Sequence, residues 1–145
     1  MPGFSVYHAS KLALEGWAES LRLELSPLGI DSVLIEPGPF ATNFFGNVVP
    51  SADETVMQSY PHVGEFAGQF EGMLNDAFDN PEAPTDPSTV ASDFVKLIEA
   101  EQGERPLRTI SGLDFGCQMN NDALEPLRVA GLAELQISDL DKVAR

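Results

Sequence analysis

An α/β fold built on an open parallel sheet, incomplete in this chain, is what the sequence predicts. Three observations predict it. A long apolar-striped helical stretch, residues 7–27, feeds the short β-branched run Ser32-Val33-Leu34-Ile35-Glu36. A second helical stretch opening at Asp86-Pro87 feeds a second short run, Leu107-Arg108-Thr109-Ile110. Helices alternating with short apolar strands are parts of β-α-β units, and such strands run parallel. Two strands are a poor core by themselves, because each needs neighbours at its edges. The expectation is therefore a chain that leaves strand edges and apolar surface uncovered, and that alone is marginal, associates with itself or rearranges.

The first helix is read from Leu14, Ala18, Leu21, Leu25 and Leu28, with Trp17 beside them, spaced as one helical face. Leu12 and Leu23 extend the apolar surface to a second face, while Glu15, Glu19 and Glu24 mark the side left for water. A helix apolar on two faces is buried between layers or lies at a subunit contact. Pro27 and Gly29 end it. The strand over residues 32–36 is followed by Pro37-Gly38 and, a few residues on, by Thr42. Ligands of open α/β sheets gather at the carboxyl ends of strands. There Gly38 allows close backbone approach and Thr42 offers a hydroxyl. A plain strand-ending turn with a helix cap explains the same residues without a ligand.

Phe40, Phe44, Phe45, Val48 and Val49 follow in an irregular stretch, suited to lining a pocket or to forming core under a lid. Residues 53–59 suit a short helix that Pro61 ends. Val63, Phe66, Phe70, Leu74, Ala77 and Phe78 form a further helical stripe. Residues 79–87 carry three prolines and read as a loop. In the helix after Asp86-Pro87, the residues expected to be buried are Val90, Ala91, Phe94, Leu97 and Ile98, and Gly103 closes it. Asn121 or Asp122 suits the cap of a helix through Leu132, and Ser138 that of a short terminal turn.

The formal charge is -15. It argues against nucleic acid, whose binding needs clustered Lys and Arg, and against anionic membrane surfaces. No apolar run is long enough to span a bilayer and no signal-peptide pattern opens the chain, so a cytoplasmic protein is expected. The single cysteine, Cys117, cannot form an intrachain disulfide, and it reads as a small buried thiol rather than a reactive one. His8 and His62 have no metal-ligand spacing. His8 is expected to be exposed or near a site mouth. No metal site is expected.

The chemistry-bearing stretch is Tyr7-His8-Ala9-Ser10-Lys11. Residues four apart share one face of a helix, so a phenol sits beside an ammonium group. A free phenol titrates near ~10; a fixed positive charge favours the phenolate and moves it toward work as a proton donor or acceptor. A half-buried aromatic beside a solvated lysine has the same spacing.

Tyr-x-x-x-Lys, its Leu/Ala-rich helix, the strand, Pro37-Gly38 and Thr42 occur here in that order. Together they resemble the C-terminal half of the short-chain dehydrogenase/reductase family. The resemblance is close over residues 2 to about 45, weaker to about Gly116, and absent beyond. It implies a Rossmann-like doubly wound parallel sheet, present here in its C-terminal part only. The cofactor-binding half, with its glycine-rich turn and active-site asparagine and serine, is expected to precede Met1; Ser5 and Ser10 lie too close to Tyr7 to replace that serine.

The resemblance divides the chain into residues 1–45 (active-site helix, strand and Pro-Gly cofactor loop), 46–85 (substrate-binding region), 86–116 (helix and last strand) and 117–145 (C-terminal extension). It implies hydride transfer between NAD or NADP and a carbonyl or alcohol. Tyr7 and Lys11 would be catalytic, and Tyr7, Lys11, Pro37, Gly38 and Thr42 would bind cofactor. The aromatic content of 46–85 suggests a fairly apolar small-molecule substrate, and the first helix suggests a homo-oligomer. Little turnover is expected of this chain alone. The other reading is a non-catalytic interaction or remnant domain that keeps the motif as packing.

Overall fold

A computed structural model describes residues 1–49 and 51–144. The order is α1 (Ser5–Leu25), β1 (Leu34–Pro37), α2 (Glu54–Gln58), α3 (Pro61–Asp79), α4 (Ser88–Glu99), β2 (Arg108–Ser111) and α5 (Cys117–Glu134), with short 3-10 turns between and after them. The two strands pair in parallel, Leu34 opposite Arg108 and Pro37 opposite Ser111. The α/β reading with a small parallel sheet therefore holds. Both strands sit one or two residues later than their apolar runs suggest. Ser32 instead donates its hydroxyl to the Ala18 carbonyl at 2.9 Å, tying the chain to α1 before the ladder begins.

Helices cover both faces of the ladder. Side chains alternate along a strand, so Arg108 and Glu36 share a face and meet at 3.4 Å. That face turns toward α1 and α5: Arg108 also pairs with Glu15 and Glu19 of α1 and Glu125 of α5, while Asn121 donates to Glu36 at 2.7 Å. α4 packs against both strands and buries Leu97 and Asp93.

The end of α1 and the chain's last residues are tied together. Arg22, buried in α1, donates to Asp141 at 3.0 Å and lies 3.7 Å from Asp31. Arg105 reaches the same Asp31 at 2.6 Å, and Arg128 of α5 holds Asp141 at 2.8 Å. Ser26, fully buried, donates its hydroxyl to the Leu140 carbonyl, and its own carbonyl accepts from the Ala144 amide at 2.8 Å. Residues 138–144 thus complete the end of the first helix.

Several burial expectations fail. The core consists of Ala18, Leu34, Leu74, Leu97, Leu107 and Leu132. Along α1, Leu12, Leu14 and Trp17 are exposed, as is Leu28 just beyond it; Ala18 and Arg22 take the buried face instead. In α4, Phe94 and Ile98 are exposed and Ala91 lies outside the core, with Asp93 buried in their place. The chain exposes 10053 Å² in all, against roughly 7,300 Å² for a folded monomer of this size. Periodicity identified the helices, but their apolar stripes have little in this chain to pack against.

Two further points differ. Cys117 is exposed rather than buried, because it stands in the first turn of α5. That helix starts there and not at Asn121 or Asp122: Gly116 holds the cap position, and the Asp114 carboxylate accepts from the otherwise unpaired amides of Cys117 and Gln118 at 2.6 and 3.3 Å. Pro61 both follows α2 and opens α3 at its first position.

Candidate active site

Tyr7 and Lys11 lie in the first turns of α1 and reach the same side. The Lys11 Nζ is 5.4 Å from the centroid of the Tyr7 ring, within cation–π range. Tyr7 is 44% exposed and Lys11 is exposed, so both are reachable from solvent. The Ser10 hydroxyl is occupied, donating to the Tyr7 carbonyl at 2.7 Å.

Aromatic rings build the surroundings. Tyr7 meets Phe4 and Phe44 edge-on, with centroids at 6.2 and 6.3 Å. His8, half-exposed, has its ring 6.1 Å from those of Phe4 and Tyr7. Phe4 in turn meets Phe70 of α3 at 6.0 Å. Edge-to-face pairs of this kind favour one relative orientation, so they hold the start of α1, the loop after β1 and α3 in register.

Pro37 and Gly38 belong to the strand exit. Pro37 pairs with Ser111, and the Gly38 amide donates to the Ser111 carbonyl at 2.8 Å. A Cβ on Gly38 would lie 2.1 Å from the Leu113 carbonyl oxygen. The glycine is thus required by the neighbouring backbone, a use the sequence alone did not separate from approach to a ligand. Gly112, at φ +83, is constrained likewise: a Cβ there would strike the Phe40 ring at 2.5 Å. The two strand exits therefore nest into one another, and that nesting aims the following loop.

The loop that holds Thr42 also reaches α1, through Phe44. Phe44, two residues on, touches Tyr7, and Phe45 packs edge-on against Phe44 at 5.2 Å. Tyr7, Lys11 and the Thr42 loop are thus brought together through Phe44, while Pro37 and Gly38 are fixed by β2 and Leu113. Beside them an open cleft of about 470 Å³ is lined by Ala41, Thr42, Asn43 and Phe45 of the loop and by Glu71, Leu74, Asn75 and Phe78 of α3. The sequence marked Leu74 and Phe78 as a stripe but not Glu71 and Asn75. Their separation by one helical turn was the available signal; the facing wall is an irregular loop that periodicity does not describe.

This arrangement suits proton transfer. A phenol and an ammonium stand together on an accessible face, and a threonine hydroxyl lies at the carboxyl end of a parallel strand. These side chains fit the nicotinamide end of a dinucleotide; Gly38 adds no open space for it, since Leu113 fills that space. Among the described residues, no group of three or more His, Cys, Asp and Glu could hold a metal ion, and no helix is long and apolar enough to cross a membrane. Cys117 is set apart from this site. Its partial burial, then the carboxylates of Asp114, Glu36 and Glu15, push its thiol above the usual cysteine value, which disfavours the reactive thiolate.

Comparison with known proteins agrees with this geometry. The short chain dehydrogenase family model matches residues 1–53. The chain is 34% identical over 112 residues to the uncharacterized oxidoreductase YusZ of Bacillus subtilis, covering 74% of this chain and 36% of that protein. It is 55% identical over 47 residues to the uncharacterized oxidoreductase YbbO of Escherichia coli K12, covering 32% of this chain and 18% of that one. It is 36% identical over 100 residues to human 17-beta-hydroxysteroid dehydrogenase type 1, covering 69% of this chain and 30% of that enzyme. The chain therefore spans about a third or less of the length of these relatives. Family match, ordered motifs and oxidoreductase relatives converge: this chain belongs to the short-chain dehydrogenase/reductase family.

Proposed function

We propose that the chain carries the acid/base part of an NAD- or NADP-dependent oxidoreductase acting on a carbonyl or alcohol. The observation that supports this most is the Lys11 ammonium 5.4 Å from the Tyr7 ring centroid, on a face open to solvent. In the reducing direction Tyr7 gives its phenolic proton to the carbonyl oxygen, and in the oxidising direction it takes the alcohol proton. The Lys11 ammonium stands beside the ring that makes this exchange. The bound nicotinamide supplies or accepts the hydride. Tyr7, Lys11, Pro37 and Thr42 would border it, the Thr42 hydroxyl able to donate or accept a hydrogen bond, while Gly38, its Cβ position taken by Leu113, would serve through the turn that sets the loop.

The substrate is a small, fairly apolar molecule, in keeping with the Phe44, Phe45 and Phe78 rings beside the site and with a relative named for a hydroxysteroid. Exposed Leu12, Leu14 and Trp17 on α1 fit a homo-oligomer contact. The catalytic serine and the phosphate-cradling turn of the family have no counterpart in these residues, so slow turnover is expected of the chain by itself. Titration with NADH and NADPH, followed by nicotinamide fluorescence, tests the reading. Saturable binding weakened by Lys11→Met supports it; no saturable change up to millimolar cofactor counts against it.

A further inference from the structure

The cleft between the loop after β1 and α3 has a chemical bias. Its floor is Leu74, 1% exposed, and Phe45 and Phe78 give it apolar walls. Its polar groups on α3 are Glu71 and Asn75, one helical turn apart and so side by side. No Lys, Arg or His lines it. Among the described residues, the Glu71 and Asn75 side chains have no hydrogen bond or ion pair within the protein, so their capacity is open to a ligand. A carboxylate only accepts hydrogen bonds, whereas an amide both donates and accepts. The volume, about 470 Å³, suits a small molecule.

We infer that Glu71 is a specificity-determining residue: the cleft takes neutral or cationic substrates whose apolar body ends in a hydrogen-bond donor, a hydroxyl or amine, and it rejects carboxylates and phosphates. This rests on the reading of the neighbouring rim as the site of hydride transfer. A ligand covering Glu71 must replace the water it excludes with a donor, or leave the carboxylate unpaired. An anion brings charge repulsion in place of that donor, within a chain of net charge -15. Phe45 links the cleft to Tyr7 through Phe44, so the cleft and the phenol are joined by one run of aromatic rings.

The test uses 2-naphthol, naphthalene and 2-naphthoate as probes, titrated into the 145-residue chain without cofactor and followed by amide NMR shifts. The expected result is shifts confined to residues 41–45 and 71–78, with 2-naphthol bound about tenfold or more tighter than 2-naphthoate. Glu71→Gln should collapse that ratio by admitting the anion, and Glu71→Leu should erase the preference for 2-naphthol over naphthalene. Glu71 is exposed, so unchanged amide shifts elsewhere certify that both variants fold. Equal binding of 2-naphthol and 2-naphthoate, a ratio indifferent to Glu71→Gln, shifts elsewhere, or no binding of any probe overturns the inference. Because no cofactor is present, a failure here is separate from a failure of nicotinamide binding.

Discussion

The two ends of α1 are built differently. Its C-terminal end is locked: Arg22, Arg105 and Arg128 pair with Asp31 and Asp141, and buried Ser26 bonds the Leu140 carbonyl and the Ala144 amide. Its N-terminal end is open: Tyr7 and Lys11 face solvent, steadied by a few aromatic edges. One helix thus anchors a rigid end and presents an exposed phenol and ammonium at the other. The lesson is that stability and chemistry are separated along a single element, so substitutions at the two ends should act on different readouts.

The largest effect is expected at the locked end. Arg22→Ala leaves Asp31 and Asp141 short of a partner in a buried setting, and should cost ~3 kcal/mol of stability. The check is urea unfolding, with a lower midpoint and an unchanged slope. A loss of only ~0.5 kcal/mol would mean the network behaves as a surface pair. Next comes Gly38→Ala, whose methyl group meets the Leu113 carbonyl. It should cost ~2 kcal/mol through overpacking and shift amide signals at both strand exits.

Acid should also act on the locked end first. Burial pushes the Asp141 carboxyl up, but the Arg128 hydrogen bond and charge, then those of Arg22, hold it below the usual aspartate value overall. Asp93 is held low chiefly by the Lys96 ammonium, which donates to it at 2.8 Å. Because these folded values are depressed, their contribution is complete above about pH 4 and is lost as pH falls through the folded values. Asp141→Asn should flatten that acid limb. Glu36 acts in the opposite sense: burial raises its carboxyl, so its ionisation costs stability as pH rises through the folded value.

The smallest stability effects belong to the open end. Phe44→Ala removes edge contacts with Tyr7 and Phe45 and should cost ~1 kcal/mol. Tyr7→Phe should stay within ~0.5 kcal/mol, since the ring remains. If Tyr7→Phe destabilises as much as Arg22→Ala, the division between the two ends is wrong.

Much of this was legible in the sequence. The helical stripes placed α1, α3 and α4 within a few residues, and the spacing of Tyr7 and Lys11 put them together, as 5.4 Å confirms. What was not legible depends on partners distant in sequence. The pairing of Arg22 with Asp141 spans 119 positions, and no local pattern marks it. Gly38 looked like ligand space because its true neighbour, Leu113, lies across the sheet. Leu12, Leu14 and Trp17 have the periodicity of core residues but are exposed, because periodicity reports an apolar face and not what covers it.

Tyr7, Lys11 and Thr42 are proposed to border one nicotinamide site. The most direct test is an NMR titration of the chain with NADPH and with NADH. Signals of Tyr7, Lys11 and Thr42 should move together along one saturable curve, and Lys11→Met should weaken the binding for all of them. Movement of Thr42 without Tyr7 and Lys11, or no saturable movement of any of them at millimolar cofactor, would contradict it.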